Sequence, residues 1–275
     1  MNAAEELVSQ ARHGRFVELL PQMLTMAGRA DGSRDEAWEA AAAAIQILFW
    51  QDRFVEAAEL AETVIDRDGP LGGELCDQDT PFRAAFLGAQ AHAGLPAAPR
   101  LLAAAGHVPA GRNLGEELLW LAEQVSDRPV EELLPNHADW GGPTKSLGGA
   151  SAELVERGFS DFGGLAEADR NLVWQALAKA NDFERAHALA ESSGQTPDRF
   201  ATCTWLAGWY AVRGDVPRGE RILLAAHGRW WPYMKWDAIP DAPVLQPTLR
   251  LVVTDRVREH YLTRPIGPEA AETNA

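Results

Sequence analysis

The chain has 275 residues, of which 46 % are hydrophobic and 24 % charged, an ordinary globular balance with room for one large domain or two small ones. Its 25 basic and 40 acidic residues give a net charge of −15. That sign excludes nucleic acid as a partner, because phosphate binding needs cations to displace counterions, and it disfavours anionic membranes. Such a surface attracts a basic partner, while acids scattered among arginines also serve solubility alone.

Cys76 and Cys203 stand far apart and form neither a disulfide framework nor a zinc-ligand pattern. The first residues, Met1 to Gly14, carry neither the basic start nor the apolar stretch of a signal peptide. The longest apolar run, Ala40 to Trp50, is interrupted by Gln46 and is too short to span a bilayer. The expectation is a cytoplasmic protein. Arginine outnumbers lysine and alanine abounds, the usage of a GC-rich bacterial genome.

In chain order, the first strong pattern is the apolar segment Glu36–Trp50. A polar turn, Gln51-Asp52-Arg53, separates it from a helical stripe of Phe54, Ala57, Ala58, Ala61 and Val64 within Phe54–Asp66. Together they read as an αα-hairpin. Its turn recurs: Gly14-Arg15-Phe16 with Leu19, Asp52-Arg53-Phe54 with Ala57, Gly94-Leu95-Pro96 with Pro99, Asn181-Asp182-Phe183 with Ala186, and Gly214-Asp215-Val216 with Gly219. Gly or Asn suits the left-handed residue that ends a first helix. The aromatic two positions on anchors the second, and the small residue lets the helices approach.

This pattern resembles the tetratricopeptide repeat (TPR). Its best match is Cys203–Ala226, where Leu206, Ala207, Tyr210, Gly214, Val216, Gly219, Leu223 and Ala226 occupy that family's small and large positions. In the Asp52 unit, Phe54, Ala57, Ala61 and Val64 match the second helix, whereas the first helix departs from the pattern. The Gly14 and Gly94 units carry leucine or proline at the small position. Intervals run from about 33 to about 87 residues, against about 34 in a regular array. The resemblance covers about two-thirds of the chain and implies an all-α fold of antiparallel αα-hairpins, stacked as an irregular TPR-like solenoid that binds other proteins. It also implies that alanine is accepted at Gly219, the family's usual residue there.

Residues 1–135 then form an N-terminal helical half, including a predicted helix at Asn113–Ser126. Residues 136–150 form a Gly/Pro-rich linker, and 151–228 a C-terminal half. Residues 229–275 form an aromatic and Pro-rich capping tail, with helix from Asp255 onward and Leu249–Val253 open to an extended form. Trp230, Trp231 and Trp236 in that tail read either as a lid on the exposed end of the array or as a ligand site.

No motif announces catalysis. Gly141-Gly142-Pro143-Thr144-Lys145-Ser146 ends like a phosphate loop but lacks the glycine before the lysine, and its proline removes a backbone donor. Cys76-Asp77-Gln78-Asp79 places a thiol beside carboxylates that raise its pKa, so Asp79-Thr80-Pro81 reads as a helix start. The seven histidines are dispersed, with His13, His92 and His227 near helix ends, where a positive charge suits the dipole. No catalytic residue, metal site or cofactor is assigned.

In the TPR family the first helix of each pair lines the inner groove. Carried over, those positions are Gln46, Phe49 and Trp50, then His92, then Gln175 and Lys179. Amide and aromatic side chains there suit a peptide, bonding its backbone and stacking on it; Phe49 and Trp50 read equally well as core. The leading expectation is a non-enzymatic adaptor for a protein or peptide, with an immunity protein against a basic toxin as a special case. The alternative is a helical enzyme or small-ligand protein whose pocket joins His227, Trp230, Trp231, Trp236 and Asp237.

Overall fold

A computed structural model describes residues 2–29, 33–68, 151–180, 182–232, 235–245 and 247–267. The helix expected at Asn113–Ser126, the Gly94 turn, the Cys76 cluster and the Gly141 loop lie outside them. Every regular element among the described residues is a helix. They group into two compact units: residues 2–68 with 232–241, and residues 151–231 with 242–267.

In the first unit, α1 (Ala3–Gln10) starts at Asn2, whose side chain caps the Glu5 amide. A kink at His13 and Gly14 leads into α2 (Phe16–Ala27); Gly14 takes the left-handed φ of 86° that glycine adopts without a Cβ clash. Next comes α3 (Arg34–Trp50), and then α4 (Phe54–Asp68). Helix α3 is the centre of this unit. Residues 37–50 are all buried, and α1, α2 and α4 pack against it. Over 37–50 only Glu39 and Gln46 are polar, so the helix has no solvated face to offer and must be surrounded.

The α3–α4 turn is closed by Arg53 N donating to Leu48 O at 3.0 Å and Asp52 N to Phe49 O at 3.1 Å, with Asp52 at φ 57°. These are the paired bonds of a Schellman stop, which satisfies the last carbonyls of a helix. Phe49 and Phe54 meet across it with centroids 5.6 Å apart.

The second unit repeats the device. It contains α5 (Ala152–Ser160), α6 (Glu167–Lys179), α7 (Phe183–Ser193), α8 (Phe200–Val212) and α9 (Val216–Ala226). Between α6 and α7, Asp182 N donates to Leu177 O at 2.9 Å; between α8 and α9, Asp215 N donates to Tyr210 O at 2.9 Å. Asp182 and Asp215 then cap the helices they precede, accepting from Arg185 N and Arg218 N. Phe183 is stacked on Trp205 and Trp209, at 4.9 and 5.4 Å between centroids.

Helices α10 (Ala242–Leu245), α11 (Pro247–Arg250) and α12 (Asp255–Thr263) complete this unit. The extended form open to Leu249–Val253 is not adopted. Leu249 and Arg250 are helical, and Val252 N turns back to Leu249 O at 2.9 Å, because Pro247 starts a helical turn that i→i+3 bonds then close. Tyr261 of α12 is buried and donates its hydroxyl to Leu223 O of α9 at 2.8 Å. Val252 lies over Gly219, so a Cβ added there would stand 2.5 Å from Val252 Cγ1 and 3.1 Å from Ala207 O. The expectation that alanine is accepted at Gly219 is therefore corrected. The close approach exists, but it involves a third element as well as the two helices of the hairpin.

Candidate functional site

The polar chemistry of the first unit concentrates on one stripe of α3. Glu39, Gln46 and Trp50 are seven and four residues apart, which puts them on one helical face. That face holds a stretch of the chain's own backbone, Lys235 to Pro240, brought from about 190 residues away and folded neither as helix nor as strand.

The holding bonds run mainly from side chain to main chain. Gln46 Oε1 accepts from Ala238 N at 2.8 Å and Ile239 N at 3.5 Å, while its Nε2 donates to Asp237 Oδ1 at 3.3 Å. Trp50 Nε1 donates to Pro240 O at 2.7 Å. From the kink after α1, Arg12 donates Nε and Nη2 to Asp237 O at 2.9 and 2.7 Å, and Nη2 to Lys235 O at 2.9 Å. Arg12 is only 7 % exposed, so these carbonyls replace the water its guanidinium has lost.

Charge fixes the other end of the segment. Lys235 Nζ pairs with Glu39 Oε1 at 2.8 Å and with Glu5. The bond to Glu39, then that to Glu5, holds the ammonium pKa above its ordinary value; the bond to Lys235 holds the Glu5 carboxyl below its own. Asn2 Nδ2 donates to the second Glu39 oxygen at 2.7 Å. Ala238 and Ile239 are fully buried. The cleft thus reads an irregular backbone, turned at Lys235 and Trp236 and bent at Ile239, with a cation at one end and Trp236, Ala238, Ile239 and Pro240 buried.

The groove residues expected from sequence have separate fates. Gln46 and Trp50 touch the segment, whereas Phe49 is fully buried against Phe54. His92 and the Lys179 side chain lie outside the described residues. Gln175 belongs to the second unit, where its Oε1, oriented to satisfy its neighbours, accepts from Arg199 Nη1 and Nε at 3.0 and 3.1 Å. Arg12, Glu5, Glu39 and Lys235 were missed. A carboxylate and an amide seven apart in an alanine-rich run were the available signal, since polar groups on a helix buried all round must have partners.

The alternative ligand set divides between the units. Trp236 and Asp237 belong to the first, and His227, Trp230 and Trp231 to the second. Trp230 is buried, and Trp231 is 68 % exposed. His227 sits against His260 and Tyr261, at 4.6 and 4.8 Å between ring centroids. Burial, with His260 and Arg264 nearby, lowers its pKa to about 4, so it is neutral at pH 7. The reading of His227 as a cation on a helix dipole is corrected: the ring follows α9 but has lost too much water to hold a proton.

Cys203, also buried, is a free thiol bonded to Pro197 O at 2.9 Å and approached by Arg229 Nη1 at 3.2 Å. Burial raises its pKa despite that guanidinium, which leaves it a weak nucleophile.

Compared with known proteins, the chain matches no family model, no curated sequence and no solved structure at a significant level. Among the described residues no three His, Cys, Asp or Glu side chains are grouped to hold a metal ion, and no helix is long and apolar enough to cross a membrane.

Proposed function

We propose that this chain is a non-enzymatic adaptor of irregular TPR-like helical hairpins, and that it binds a protein or a peptide segment of one. One observation carries the reading. A helix otherwise built as core presents Gln46 and Trp50, with Arg12 beside them, to backbone carbonyls and amides. Main-chain hydrogen bonds from a fixed surface are how peptide grooves gain affinity, and side-chain pockets add specificity.

The same bond from an amide back to a carbonyl five residues before it, at Arg53, Asp182 and Asp215, supports the hairpin-array part of the reading. The net charge of −15 favours a basic partner and is compatible with neutralising a basic toxin. The test is a peptide-display screen on the immobilised full chain, followed by titration of the enriched sequences at low and high salt. Basic sequences whose affinity falls with salt are expected. A screen that enriches no sequence above background overturns the reading.

A further inference from the structure

We propose that Lys235–Pro240 is an internal pseudo-ligand. On this proposal, which rests on the adaptor reading, the cleft it fills is a site for a partner peptide of the same chemistry: irregular and turned, with a lysine or arginine, a large apolar residue next to it, and a small residue, an isoleucine-like residue and a proline further on. The partner gains the site by exchange with the internal segment.

The cleft is costly to build for mere core closure. Arg12, Glu39 and Gln46 are buried polar groups, and the segment supplies partners to all three. Apolar residues of similar volume close a core at least as well as buried charges do. Polar groups aimed at backbone atoms instead select a backbone conformation, here one turned at Lys235 and Trp236 and bent at Ile239, while leaving side-chain identity to a few positions. Those positions are plain. Lys235, half exposed, bridges Glu5 and Glu39, Trp236, Ala238 and Ile239 are buried, and the Pro240 carbonyl meets Trp50.

The occupant is also topologically foreign to its cleft. It is a ten-residue excursion, 232–241, from a chain whose flanking residues on both sides belong to the other unit. Being tethered, it competes at an effective concentration on the order of millimolar. A partner must therefore bind better than the internal copy or meet a chain in which that copy is weakened, so the cleft is autoinhibited.

The test uses the full chain and a fluorescein-labelled synthetic peptide of residues 232–241, read by fluorescence anisotropy. In the chain, Lys235→Ala with Ile239→Ala weakens the internal copy and leaves the cleft intact. This double variant is expected to bind the peptide at least about tenfold more tightly than the unaltered chain. Adding Gln46→Ala should reverse that gain, and a peptide carrying Lys235→Glu should not bind. A double variant that melts cooperatively with an unchanged helical spectrum, yet gains no affinity, overturns the proposal.

If that variant fails to fold, hydrogen exchange on the unaltered chain decides. Ala238 and Ile239 amides should exchange at least about tenfold faster than those of Ala40–Leu48, through local opening. Equal rates show that the segment leaves only when the unit unfolds, and overturn the proposal. Display-enriched peptides whose binding is indifferent to Gln46→Ala leave the adaptor reading standing and remove this one.

Discussion

Gln46 Oε1 lies 2.8 Å from the amide nitrogen of Ala238, a residue 192 positions away. Both groups are buried, so the bond ties two distant parts of the chain through atoms that water cannot serve. Replacing Gln46 by leucine, similar in size, strands that N–H. Urea titration of Gln46→Leu should show a loss of about 1–3 kcal/mol, the cost of an unsatisfied buried donor. A loss below about 0.5 kcal/mol, the range of ordinary surface changes, would mean that the amide finds another acceptor.

Gly219→Ala gives a second expectation, opposite in sign to the one drawn from the repeat pattern alone. The new methyl would meet Val252 Cγ1 at 2.5 Å, so Val252 must move in a packed site. Overpacking of this kind costs about 1–3 kcal/mol. Combining it with Val252→Ala should recover part of the loss, and the coupling in that double-mutant cycle measures the contact. An unaltered melting temperature for Gly219→Ala alone would show that Val252 yields freely.

The buried His227 makes stability depend on pH with a definite sign. Its pKa is about 4 in the folded chain against an ordinary 6.5, so below pH 6.5 the unfolded chain takes up the proton first. Stability is full above 6.5 and falls as pH drops toward 4, by about 3 kcal/mol in the limit. His260, whose pKa is lowered by burial and by Arg264 and Arg256, adds in the same direction. His227→Asn should flatten the slope of unfolding free energy against pH in that window. An unchanged slope would assign it to other groups.

Tail variants should separate two roles. Tyr261→Phe removes the bond to Leu223 O and should cost about 1 kcal/mol without touching the 235–240 contacts. Replacing residues 235–240 by a Gly-Ser stretch of equal length should instead deprotect α3 amides in hydrogen exchange. If the Gly-Ser chain protects α3 as the unaltered chain does, the segment contributes nothing to that unit.

Helix starts at Phe54, Phe183, Val216 and Asp255 were legible because their causes are local. A left-handed Asp52 or Gly214, a capping Asp182 or Asp215, and an apolar stripe of period 3.6 all act within a few residues. The all-α class follows from the same causes, summed along the chain. The burial of the Ala37–Trp50 run was left open, since Phe49 and Trp50 suited a groove as well as a core.

Only the tertiary structure decided what surrounds those helices. Gln46 was expected to face a partner peptide; it bonds the chain's own Lys235–Pro240, and no periodicity links positions 190 residues apart. Val252 over Gly219 and His260 beside His227 are likewise meetings of distant residues, and each reverses an inference sound for its own helix. Helix formation depends on a residue's neighbours in sequence, whereas room for a methyl group or a proton depends on whatever the folded chain brings against it.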